Sequence, residues 1–173
     1  MSPKAKLGLI FAVCAAPIVF GTLAYYLHWG GGAGGSYGEL IAPRLLEGPP
    51  FQALRGKWVL VTFDAAACPA ECERKLYRMR QLRRAQGAGA ERIERLWLVS
   101  GGEPRARLAE AIQGSHIVAA SRAGATAAFP GEHERYIYLV DPLGNLMMRT
   151  PADADPAKMI KDLERLLKVS RTG

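Results

Sequence analysis

Two cysteines four residues apart carry the clearest chemistry in this 173-residue chain: Cys68 and Cys72, in the stretch DAAACPAECE that begins at Asp64. Four residues make about one helical turn, so this spacing lets both sulfurs point the same way. Pro69 suits the first position of a helix, where its missing N–H would have no intrahelical partner, and this places Cys68 near the N-cap. Unpaired N–H groups and the positive end of the helix dipole favour thiolates at such a place. Glu71 and Glu73 flank Cys72 and oppose that charge, so only modest acidification is expected. Two converging soft sulfurs suit copper(I), zinc or a reversible disulfide.

The elements needed to hold this pair can be read on either side of it. Residues 57–63 are apolar on both faces and predict a buried central strand, with Asp64 and the three alanines as the turn. Cys72, Leu76, Met79 and Leu82 or Arg83 then form one apolar stripe along a helix. A small-residue loop at 86–90 leads to a second buried strand at 95–100, and strand, helix, strand of this length implies a right-handed parallel crossover. A helix is expected over 104–113 with Leu108, Ala111 and Ile112 inward, and a short helix over 119–128. Residues 136–140 and 145–150 predict a hairpin across Asp141, Pro142, Leu143 and Gly144. Asp155 and Pro156 open a last helix with Met159, Ile160, Leu163, Leu166 and Leu167 on one face. Residues 39–52, with Pro43, Pro49 and Pro50, predict an extended lead-in. The order is βαβα, hairpin, α: an α/β, thioredoxin-like fold around a mixed central sheet.

The run Leu54-Arg-Gly-Lys-Trp-Val-Leu-Val-Thr-Phe63, followed by Cys68-Pro-x-x-Cys72, resembles the Sco/SenC family of thioredoxin-fold copper chaperones for cytochrome c oxidase. That family also carries a distal histidine ahead of a strand ending YL-x-x-P, and this chain has His133-Glu-Arg-Tyr-Ile-Tyr-Leu-Val-Asp-Pro142. The resemblance implies that Cys68, Cys72 and His133 are the metal ligands, holding one copper ion as Cu(I) or Cu(II), and that cytochrome c oxidase subunit II and other oxidase assembly factors are partners. Glu73 stands where members often have a proline, and the loop before Cys68 lacks their aromatic and histidine residues. Met147 and Met148 are read as core filler and its surface neighbour, and His28 and His116 as lying outside any site.

The N-terminal part has a different character. Residues 7–27 hold no charge, about 31 Å of helix against a hydrocarbon core of roughly 30 Å. The predicted organisation is a cytoplasmic N-terminus at 1–6, a transmembrane anchor at 7–29 with Tyr25, Tyr26 and Trp29 at the interface, a glycine-rich tether at 30–38, and the thioredoxin-like domain at 39–173. Lys4 and Lys6 precede the span and no charge follows until Glu39, so the positive-inside rule places the domain on the periplasmic side of a bacterial inner membrane. Three cysteines cannot make a disulfide scaffold, and Cys14 falls within the apolar span. The net charge of +7 gathers on Arg74, Lys75, Arg78, Arg80, Arg83 and Arg84, read as a solvated helix face with a lesser weight on docking to an acidic partner. No nucleic-acid partner is expected beyond a membrane.

Two function classes compete with a chaperone. One is a thiol-disulfide oxidoreductase that keeps oxidase cysteines reduced, with Cys68 the attacking thiol because it stands closer to the helix start. The other is a thioredoxin-fold subunit that only holds an assembly together.

Overall fold

The computed structural model describes residues 2–26, 36–124 and 126–170, and the chain divides into two units, Met1–Gly35 and Ser36–Gly173. Among the described residues of the first unit there is one helix, α1 (Pro3–Tyr26), with Pro17 inside it. Among the described residues no helix is long and apolar enough to cross a membrane, so the expected anchor rests on its sequence alone. His28, Trp29 and residues 30–35 of the expected tether lie outside the described residues, as do the side chains of Tyr25 and Tyr26.

The second unit is built on a six-stranded sheet of β1 (Glu39–Leu45), β2 (Trp58–Ala65), β3 (Ile93–Ser100), β4 (His116–Ala119), β5 (Tyr136–Val140) and β6 (Asn145–Pro151). Their spatial order is β1-β6-β5-β2-β3-β4, with β2, β3 and β4 parallel and the other pairings antiparallel. The sheet is thus mixed, as expected, and β2 is one of its inner strands, between β5 and β3. The helices of this unit are α2 (Pro49–Ala53), α3 (Ala70–Arg84), α4 (Ala109–Ile112) and α5 (Pro156–Val169). Asp155 caps α5 by accepting from the Ala157 N–H at 2.9 Å, and Pro156 follows where a lost donor costs nothing.

Alternation along β2 divides the core. Trp58 and Leu60 join Met79 and Leu82 of α3, Ile93, and Met159, Leu163 and Leu167 of α5. Val59, Val61 and Phe63 point to the opposite face, with Leu96, Leu98, Phe129, Tyr138 and Val140. A third cluster, around Trp97, Val99, Leu76, Leu108 and Ala111, encloses both cysteines of the motif.

Four expectations change. The lead-in is not merely extended: β1 pairs with β6, its register shifting between Leu40 and Arg44, where Pro43 has no N–H to give. The helix expected over 104–113 is a 3-10 turn, Ala106–Leu108, running into the four-residue α4. The short helix expected over 119–128 is replaced by the last residue of β4, Ala119, and the 3-10 turns Ala120–Arg122 and Thr126–Ala128, since small side chains carry no 3.6-residue apolar stripe to bury. The end of the expected tether is fastened down: the Asp162 carboxylate on α5 accepts from Ser36 Oγ at 3.0 Å, Tyr37 N at 2.5 Å and Gly38 N at 3.0 Å.

Candidate dithiol site

Strand β2 delivers the chain to the site and a tight turn reverses it. Ala66 N donates to Ser100 O at 2.7 Å, tying the turn to the end of β3, and Cys68 N donates back to Ala65 O at 3.0 Å. Among the described residues Cys68 is the one non-glycine with positive φ, at 40°. An L-residue in that region, here also preceding a proline, stores strain of about 1 kcal/mol or more. Pro69 is the N-cap of α3 rather than its first residue, so Cys68 stands just outside the helix and Cys72 is its third residue.

Cys68 and Cys72 are joined in a disulfide with Cα atoms 5.2 Å apart. Both are buried, at 0% and 2% exposure. The pair is therefore not a surface staple but part of the packing between α3, β3 and the 106–112 segment. The short loop it closes gives little chain-entropy stabilisation, which leaves reactivity as its chemical interest.

Two charged contacts of the motif, an ion pair and an arginine, were not assigned in the sequence. Asp64, expected in the turn, is the penultimate residue of β2 and is buried, with its carboxylate 2.7 Å from the Lys75 ammonium, which is itself 2% exposed. Lys75 Nζ also donates to Phe63 O at 3.2 Å and to Glu134 O. Burial raises the Asp64 carboxyl above its ordinary range, and the hydrogen bond and charge of Lys75 pull in the other direction. The expected solvated basic face loses more than Lys75. Arg80 pairs with Glu110 at 2.8 Å, and Arg83 Nε donates to Ile93 O at 2.6 Å, so both tie α3 to its neighbours.

The second contact is Arg107, just before α4. Its Nη2 donates to Cys68 O at 2.6 Å and more weakly to Ala67 O at 3.4 Å, while Nη1 pairs with Glu73 in the first turn of α3. One guanidinium thus bridges the strained turn and the helix start. Glu73, an acid beside Cys72 in sequence, has its charge met by this arginine.

His133 lies in the 3-10 turn His133–Arg135 leading into β5. Its ring packs against Phe63 at 4.7 Å between centroids, and Phe63 faces away from α3. Nε2 is 2.9 Å from Phe129 O. A carbonyl only accepts, so Nε2 carries the proton and the lone pair of the neutral ring sits on Nδ1. The Tyr138 hydroxyl donates to Pro130 O at 2.7 Å and helps fix this loop; burial pushes that phenol up to about 12. Among the described residues no three His, Cys, Asp or Glu side chains are grouped so as to hold a metal ion. The disulfide has no thiolate to offer, so this form of the chain does not assemble the three expected ligands.

A cavity of about 470 Å³ opens beside the motif helix. Cys72 lies on its wall, with Asp64 and Lys75 beneath and Arg74, Arg78 and Arg135 around it. A second, of about 360 Å³, lies on the other side of α3 and is lined by Glu73, Tyr77, Arg107 and Glu110, with neither cysteine on its wall.

Solved structures with this fold include apo Sco1 from Thermus thermophilus, 20% identical with a TM-score of 0.55, covering 80% of this chain and 98% of that one. Copper-bound ScoI from Bradyrhizobium japonicum is 19% identical with a TM-score of 0.52, covering 73% and 99%. BsSco, described as a Sco family member with a disulfide switch, is 13% identical with a TM-score of 0.51, covering 79% and 98%. At such identities the likeness is one of fold. No curated protein matches the chain. Residues 58–170, from the first residue of β2 to just past α5, match the family described as transmembrane-like, thioredoxin-like, C-terminal domain, and the chain belongs to that family.

Proposed function

We propose that this protein is a membrane-tethered, Sco-type dithiol chaperone that takes one copper ion as cargo and passes it to the copper centre of cytochrome c oxidase. The observation that carries the reading is the Cys68–Cys72 pair itself: two sulfurs close enough to bond, at the start of a helix on a fold shared with copper-bound ScoI. Once reduced, both sulfurs become soft donors suited to copper(I), and the imidazole of His133 would complete a three-ligand set. Residues 7–29 would hold the protein in a bacterial inner membrane, with the N-terminus cytoplasmic and the domain periplasmic. Subunit II of the oxidase, together with its other assembly factors, would be the partner.

Copper(I) titration of the reduced protein against a chromophoric chelator tests this. One ion per chain is expected, with loss of binding in Cys68→Ser or Cys72→Ser and clear weakening in His133→Ala. Absence of copper(I) binding by the reduced wild type would end the chaperone reading. The second reading, a thiol-disulfide oxidoreductase for oxidase cysteines, is favoured by two observations: the sulfurs are bonded, and His133 is hydrogen-bonded elsewhere. It predicts that His133→Ala leaves reduction of a model disulfide unchanged.

A further inference from the structure

The two cysteines of the disulfide are both buried but differ in their surroundings. Cys72 lies on the wall of the 470 Å³ cavity, which is open to solvent between α3 and the start of β5. Cys68 lines neither cavity, is fully buried, and packs under Leu108 and Ala111. The segment that covers it is pinned by Arg107, bonded to the Cys68 and Ala67 carbonyls and to Glu73. Thiol–disulfide exchange needs the incoming sulfur roughly in line with the S–S bond, so the attacked sulfur must have open space behind it.

We infer that an incoming thiolate opens this disulfide at Cys72, and that Arg107 is the positioning residue that enforces the direction by keeping Cys68 covered. In the step, the incoming sulfur bonds to Cys72 Sγ and the S–S bond breaks. Cys68 leaves with the electron pair as a thiolate and takes a proton from water. A second thiol then displaces Cys72 from the mixed disulfide, giving the free dithiol and the reductant's disulfide. Run in reverse, the same path makes Cys72 the sulfur that first bonds to a partner's oxidised cysteine. This is the opposite assignment from the one that proximity to the helix start suggests. The strained backbone at Cys68, at φ 40°, fits a residue held in place by its surroundings rather than by its own preference.

The inference rests on the proposed dithiol chemistry but not on copper. Its test uses glutathione as the probe on the oxidised full chain, with brief exposure, rapid alkylation of free thiols and peptide mapping by mass spectrometry. Glutathione should appear on Cys72 and the alkyl label on Cys68, in excess over the inverse pattern by about tenfold or more. Arg107→Ala should lower that ratio by at least about threefold while the fold survives, because the arginine side chain is half exposed and only its clasp is lost. A change in which sulfur reacts is a readout that general destabilisation would not produce. As a second check, the reduced Cys68→Ser variant should react with an aromatic disulfide faster than Cys72→Ser. Glutathione mainly on Cys68, or a ratio indifferent to Arg107, would overturn the inference. So would adducts that form only in urea. Copper(I) binding by the reduced protein, measured separately, tells any of these from a failure of the chaperone reading.

Discussion

Replacing Lys75 with methionine removes one half of the buried pair under the motif and leaves Asp64 without its cation. Both side chains are nearly inaccessible, at 2% and 9% exposure, and the ammonium also satisfies the carbonyls of Phe63 and Glu134. Breaking a buried ion pair by deleting one partner costs about 3–5 kcal/mol, because the remaining charge is stranded. Glu134 is exposed and its carbonyl can return to water, so the lower half of that range is expected. Replacing both groups, as Asp64→Asn with Lys75→Met, should cost only about 1 kcal/mol, so the double variant is expected to be about 2–3 kcal/mol more stable than Lys75→Met alone. The pH dependence follows from the carboxyl. Its folded pKa is raised, so the folded state binds the proton more tightly, and stability falls as pH rises from the unfolded pKa through the folded one. Removing Lys75 raises the folded value further, widening that window and steepening the fall. Urea denaturation of wild type, both single variants and the double variant, at pH 5 and pH 7, measures all of this. A Lys75→Met loss below about 1 kcal/mol, or one equal at both pH values, would refute the buried-pair reasoning.

Three further outcomes are expected. Asp162→Ala strips the acceptor from Ser36, Tyr37 and Gly38 and should cost about 2 kcal/mol, with limited proteolysis now cutting ahead of β1. Gly48→Ala would place a Cβ 2.0 Å from Ala123 O at φ 150°, so a melting temperature lowered by more than about 8 °C is expected, from a loss above 2 kcal/mol. Arg83→Met removes the bond to Ile93 O and should cost about 1 kcal/mol in urea denaturation, whereas Arg84→Met, exposed on the same helix, should cost nothing measurable.

The parts of this fold with strong apolar periodicity were legible in the sequence, and the parts without it were not. Strand β2 announced itself by unbroken apolar character, α3 and α5 by their stripes, and the β5–β6 hairpin by Pro142 and Gly144. Strand β4 did not, because it is only four residues, His116–Ala119, and is followed by a stretch of alanine, serine and glycine without apolar periodicity. Asp64 and Lys75 were legible in retrospect. An acid ending an apolar strand and a lysine on the stripe of Cys72, Leu76 and Met79 are each out of place alone, and they account for each other only once strand and helix are packed. Arg107 gave no local signal, since its partners lie 34 to 40 residues earlier in the chain.

On the proposed chaperone reading, copper loading demands two changes from the form described here, and their sizes differ. Turning His133 away from its present seat gives up one N–H···O bond, about 1 kcal/mol net, and a ring contact with Phe63 of about 0.5–1.5 kcal/mol. Together that is about 2 kcal/mol, or roughly thirtyfold in affinity, which a soft ligand set can supply on binding. Without reduction of the disulfide there is no thiolate donor at all, so redox state is the larger gate and the histidine the smaller. Phe63→Leu separates the two, because it loosens the imidazole without touching either sulfur. It should tighten copper(I) binding by about three- to tenfold in the reduced protein, part of the thirtyfold above, and leave the rate of disulfide opening by glutathione unchanged. If copper binding weakens instead, Phe63 supports the imidazole in its binding position, and the seat seen here is the one from which His133 reaches the metal.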